Sequence, residues 1–185
     1  MVGIVIGVIV VAVVLFFAMQ SSLPLKKSDD IKESFKQLEG RLWRSYVDFS
    51  ITKQNELYAR YLDEESRARV VETNELPNEL VLAIHTFHEQ LGKELMEMET
   101  YYASIEEPAN QELVRYFITY LQARNTFLNK EWGYTRALLK QQEDALLATQ
   151  LYRHARNQQT AAYEVFAAHI NQRAKKLKVE NRFQQ

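Results

Sequence analysis

Hydrophobic and polar positions divide this chain into two unlike parts. From Val2 to Met19 every residue is apolar or glycine (VGIVIGVIVVAVVLFFAM), and Gln20-Ser21-Ser22 followed by Pro24 closes the run. At a rise of about 1.5 Å per residue, such a helix comes close to the roughly 30 Å of a hydrocarbon core. The pattern predicts a transmembrane anchor over 1–20 and a linker over 21–29. The competing assignment is a cleaved signal peptide, which starts on Lys or Arg and ends in an A-x-A-like site. Here no basic residue precedes the run, and Ala18-Met19-Gln20 is a poor cleavage site. A retained single-pass signal-anchor is therefore expected.

Beyond the linker the pattern changes to spacings of three and four. Ile31, Phe35, Leu38, Leu42, Tyr46 and Phe49 form one apolar stripe, and Asp30 with Glu33 matches a capping box at its start. The first helix is expected to continue through Leu57, Tyr58, Tyr61 and Leu62 and to end before Pro77. A second helix opens near Asn78 and carries Leu80, Ile84, Phe87, Leu91, Leu95, Met98, Tyr102 and Ile105 up to Glu106-Glu107-Pro108. The third opens around Asn110, with Leu113, Phe117, Leu121, Leu128 and Trp132 on one face. Arg124 falls in that stripe where an apolar residue is expected.

After Pro108 there is no further proline, and helical spacing persists to Leu177, so a turn is expected near Gln141–Asp144 or near Asn157–Thr160. No segment alternates with period two. The fold class is all-α: one N-terminal transmembrane helix, then an antiparallel bundle of three or four long helices over 30–178, and a polar tail over 179–185.

Composition agrees with long helices. The chain has 185 residues with 5 Gly and 3 Pro, too few breakers for a loop-rich fold. It has no cysteine, which removes disulfides, thiolate metal sites and cysteine nucleophiles together. Glycine is too scarce for a phosphate-cradling loop, and no nucleotide-binding or nucleophile-elbow motif occurs. No catalytic residue and no cofactor is assigned, and no enzyme is expected.

Net charge is −1, but its distribution is uneven. Residues 62–112 carry 3 basic and 13 acidic side chains, a net of −10, whereas 113–185 carry 12 and 5, a net of +7. Packing of the two segments side by side explains this, and so do separate partners for each face. The basic stretch Arg173 to Lys178, with Arg182, suits a helix C-terminus and a solvated tail. No nucleic-acid partner is expected.

Lys26 and Lys27 follow the apolar run, and no basic residue precedes it. Basic flanks resist translocation, so the N-terminus is expected outside and the bundle in the cytoplasm. Asp29, Asp30 and Glu33 dilute that bias and keep a periplasm-facing component of an envelope complex as the alternative. Gly3 and Gly7 form a G-x-x-x-G step at which a second membrane helix packs closely. The bilayer, together with a protein partner or a second copy, are the expected partners.

Two further clusters are candidates for function. His85 and His88 stand three apart on one helix and would need Glu94, Glu97, His154 or His169 to complete a metal site. Tyr116, Tyr120, Arg124, Trp132, Tyr134 and Arg136 combine tyrosine, tryptophan and arginine, the mixture favoured at protein interfaces. The same residues also suit a thick aromatic core with snorkelling arginines. From these readings the expected function is a membrane-anchored scaffold that localises a partner at the membrane surface. A metal-binding bundle is the lesser alternative.

Overall fold

The computed structural model describes residues 28–61, 63–73, 75–139 and 145–184, without the side chains at 67, 71, 132, 134–139 and 145. The predicted anchor and linker, with Gly3, Gly7, Lys26 and Lys27, lie outside the described residues. All secondary structure among the described residues is helical, as the three-four spacing requires. Among them no helix is long and apolar enough to cross a membrane.

The chain divides into two compact units, Met1–Glu39 and Gly40–Gln185. Residues 28–48 are helical (α1). The helix already covers Ser28, so Asp30 is not the cap that its spacing from Glu33 suggested. Glu33 instead accepts a hydrogen bond from Gln37 Nε2 at 3.2 Å. In the first unit Phe35 and Leu38 are buried, as their stripe predicts.

In the second unit the single long helix expected from Ile31 to Leu62 is broken. The α-helical ladder stops at Phe49-Ser50, and α2 (Ile51–Tyr61) begins afresh. Ser50 makes the break: its Oγ accepts from the backbone N–H of Lys53 at 3.2 Å and donates to the carbonyl of Val47 at 3.0 Å. One hydroxyl thus closes one helix and caps the next. A second restart follows at α3 (Glu64–Thr73), where Asp63 Oδ1 accepts from Ser66 N at 2.8 Å. That bond holds the Asp63 carboxyl below its usual range.

The remaining helices are long: α4 (Asn78–Ser104), α5 (Pro108–Leu139) and α6 (Ala145–Leu177). Pro108 occupies the first turn of α5, where its missing N–H costs nothing. Glu107 completes the start, accepting from Asn110 N at 2.7 Å and pairing with Arg173 of α6 at 2.9 Å. Of the two places expected for a turn after Pro108, Asn157–Thr160 is wrong, since those residues lie inside α6, and Gln141–Asp144 lies outside the described residues.

Side-chain contacts fix the directions. Phe127 meets Tyr152, Phe117 meets Phe166 and Tyr116 meets His169, so α6 runs antiparallel to α5. Gln111 reaches the carbonyl of Tyr102 in α4, reversing direction again. In α1, Arg41 pairs with Glu97 and stacks on Tyr101, and Phe49 meets Phe87. The second unit is thus a helical bundle running up, down, up and down. Its core is formed by Leu42, Leu80, Leu91, Met98, Phe117, Leu121, Phe166 and Ile170, all at 0% exposure.

The segment expected as a polar tail folds back instead. Lys178 adopts the left-handed conformation (φ 54°), and Val179 N donates to Ala174 O at 3.1 Å, turning the chain sharply. Asn181 then donates to Asn171 Oδ1 at 2.9 Å. Phe183, 1% exposed, inserts among Trp43, Tyr46 and Phe166 at ring separations of 5.1, 5.6 and 5.0 Å. The polar composition of 179–185 conceals one aromatic ring, and burying that ring outweighs the cost of ordering the tail.

Candidate functional site

Because α2 and α3 are short, they cover the bundle incompletely. α2 buries Gln54 and α3 buries Val70, whereas each long helix buries a full stripe. Between α2 and α4 this leaves a cleft of about 600 Å³, walled by Leu57, Tyr61, Leu82, Ala83 and Phe87 and edged by Lys53, Glu56, Arg60 and Glu79. A second hollow of about 460 Å³ adjoins it, sharing Arg60, Tyr61 and Glu79 and bounded by Arg69, Val70, Leu76 and Pro77. Both fall within the usual size of ligand and peptide sites. Lys53 pairs with Glu56 at 2.9 Å and Arg69 with Glu65 at 3.0 Å. Among the described residues Arg60 and Glu79, one of each sign, form no ion pair. The cleft thus combines apolar walls with charges of both signs at its rim.

Beneath the cleft lies a buried polar network centred on Arg124, which is 0% exposed. Its Nε donates to the carbonyl of Phe49 at 3.0 Å, and one Nη donates to the carbonyl of Ser50 at 3.3 Å and to the Gln54 side chain. The other Nη donates to Gln159 Oε1 at 3.3 Å. Gln54 in turn donates to the Glu131 carboxylate. The position that disturbed the apolar stripe in the sequence is thus the cap of the α1–α2 break. The Phe49 carbonyl, at the C-terminal end of α1, carries negative partial charge and needs a donor from outside the helix, and the guanidinium meets both needs, while the Ser50 carbonyl also accepts from Gln54 N at 3.2 Å. The network holds α2, and with it one wall of the cleft.

Burial governs the other titratable groups here. It pushes the phenols of Tyr58, Tyr120 and Tyr163 above their usual value. It raises the carboxyl of Glu131, against the opposing pull of Arg124, and lowers His88, against a hydrogen bond that the protonated ring donates to Asn129. His88 is thereby held neutral near pH 7.

The candidates read from sequence are dispersed. His85 is exposed and pairs with Glu89 at 3.6 Å, while His88 is half-buried beside α2. Glu97 is taken by Arg41, and His169 lies against the Tyr116 ring at 4.1 Å. Among the described residues no group of three His, Asp or Glu side chains could hold a metal ion. Of the expected partner surface, Tyr120 (3% exposed) and Arg124 belong to the core, and Tyr116 is half-buried. The arginine is fully enclosed and does not snorkel. The side chains of Trp132, Tyr134 and Arg136 lie outside those described.

The cleft itself was missed, because it depends on two helix breaks that the apolar stripe hides. Signals existed: Ser50 ahead of β-branched Ile51 and Thr52, and Asp63 ahead of two glutamates, are both N-terminal patterns. The chain matches no family model, no curated protein and no solved structure. Its class is therefore set by its own geometry, an all-α helical bundle with an open side cleft.

Proposed function

We propose that the protein is a membrane-anchored helical scaffold: an N-terminal span holds it in lipid, and the bundle binds a protein partner through the α2–α3–α4 cleft. The observation that carries this reading is the charge-free run Val2–Met19, followed by helices none of which, among the described residues, is long and apolar enough to cross a membrane. A chain so divided gains energy by leaving its first segment in hydrocarbon and the rest in water. Lys26 and Lys27 support a cytoplasmic bundle. The cleft supports a peptide-like partner, through apolar walls and the charges of both signs, Arg60 and Glu79, at its rim.

The mechanism is localisation. Confinement to a surface raises the effective concentration of the cleft for partners held there, with no new contact required. Membranes carrying the full-length protein should retain it through an alkaline carbonate wash, with an N-terminus upstream of Met19. Release by carbonate, or a mature chain beginning after Met19, overturns the anchor. A reporter fused after Gln185 and active only inside the cell confirms the orientation. One active only outside assigns the bundle to the envelope.

A further inference from the structure

The outward face of α6 has a use that neither the core nor the cleft explains. Leu151, His154, Gln158, Ala161, Val165 and Ala168 recur at spacings of three and four, so they form one stripe along the helix. Every one of them is exposed. One more step in each direction adds Leu147 and Gln172, also exposed. Leu147, Leu151 and Val165 remain 55%, 43% and 45% exposed. No Lys, Arg, Asp or Glu interrupts this stripe, although a quarter of the chain is charged. Arg153, Arg156, Glu164 and Lys175 stand on the same helix but off the stripe. The buried stripe of the helix is a different one, formed by Ala155, Gln159, Phe166, Ile170 and Ala174. A helix with one seam already in the core and a second, uncharged seam in water is built to receive another helix.

We infer that this seam pairs with the same seam of a second copy of the chain, antiparallel, about a two-fold axis between Gln158 and Ala161. The sequence is self-complementary in that register. Leu151 faces Ala168 of the other copy, Leu147 faces Gln172, Val165 faces His154, and Gln158 faces Ala161. Each large apolar side chain meets a small or slender one, so the two helices approach without overpacking. At the margin, Arg153 of each copy comes within reach of Glu164 of the other, twice by symmetry. A parallel, in-register pair would instead set Leu147 on Leu147 and Leu151 on Leu151, and would put Arg153 of one copy and Glu164 of the other on opposite sides of the seam. The antiparallel arrangement matches charge and volume together, and its isologous symmetry closes at a dimer. A dimer supplies a partner for the scaffold reading but rests on the helix face alone, so it stands or falls separately from the anchor.

The chain has no cysteine, which makes crosslinking specific. In full-length protein, Leu151→Cys combined with Ala168→Cys should give an oxidised, reducible dimer on denaturing gels. Leu151→Cys alone should not, because its partner lies about 25 Å away across the axis at 1.5 Å per residue. Adding Ala161→Glu and Val165→Glu to the double-cysteine chain should cut the crosslinked fraction at least tenfold. Helicity should not change, and the unfolding midpoint should fall no lower than that of the unpaired chain, since both sites are exposed in a single copy. A double-cysteine chain that stays monomeric, a Leu151→Cys chain that crosslinks to itself, or a dimer indifferent to the four buried glutamates overturns the pairing. The crosslink reads out in detergent or in membranes alike, so loss of the anchor leaves its result unchanged.

Discussion

Arg124 concentrates the residue-scale chemistry of this protein. A guanidinium withdrawn from water costs several kcal/mol unless its donors are met. Here its donors reach two backbone carbonyls and two glutamine side chains, with Phe127 stacked at 5.6 Å. Arg124→Leu keeps the volume and strands the carbonyl of Phe49 and the side-chain oxygens of Gln54 and Gln159, while the Ser50 carbonyl keeps the backbone N–H of Gln54. At about 1–3 kcal/mol for each unsatisfied buried group, we expect a loss of about 3 kcal/mol or more in denaturant unfolding. Arg124→Lys should recover little of it, because an ammonium cannot span the fork. A near-neutral Arg124→Leu would show that the break is held by Ser50 alone. The misfit of Arg124 was plain in its stripe. Its partners were not, because Gln54 and Gln159 are separated from it by 70 and 35 positions. Polar residues at such distances carry no local sign of being buried.

Elements are decided mostly at their ends. Periodicity placed α4, α5 and the second half of α6 well, since Leu80, Ile84, Leu91, Met98, Leu113, Phe117, Leu121, Phe166 and Ile170 are all buried as spaced. It failed between Phe49 and Thr73, where an apolar stripe runs on through two breaks that caps impose. The stripe reports which face is buried and says nothing about whether the backbone ladder is continuous. At the far end, Lys178 holds a left-handed turn that favours glycine, at a cost of about 1 kcal/mol. Lys178→Gly should therefore raise stability by about that amount, read as a higher urea midpoint with an unchanged slope. A lower midpoint would mean that the lysine stem contributes packing worth more than the strain.

At the scale of the whole molecule, the second unit is closed by a residue from its last few positions. Phe183 touches rings from α1 and α6 and completes a cluster that also contains Tyr120 and Tyr163. Phe183→Ala should cost about 3–5 kcal/mol, the usual loss for a buried phenylalanine, measured in the full-length chain. A loss below about 1 kcal/mol would show that the cluster closes without the tail. The sequence by itself determined the helical class, the apolar faces, the apolar run at the start and the absence of cysteine chemistry. Each of these follows from spacing or from residue type, which are local properties. Tertiary structure alone decided that Arg124 is a core residue, that the tail is part of the bundle and that a cleft opens beside α4. Each of these depends on which distant groups meet, and no local pattern encodes that meeting.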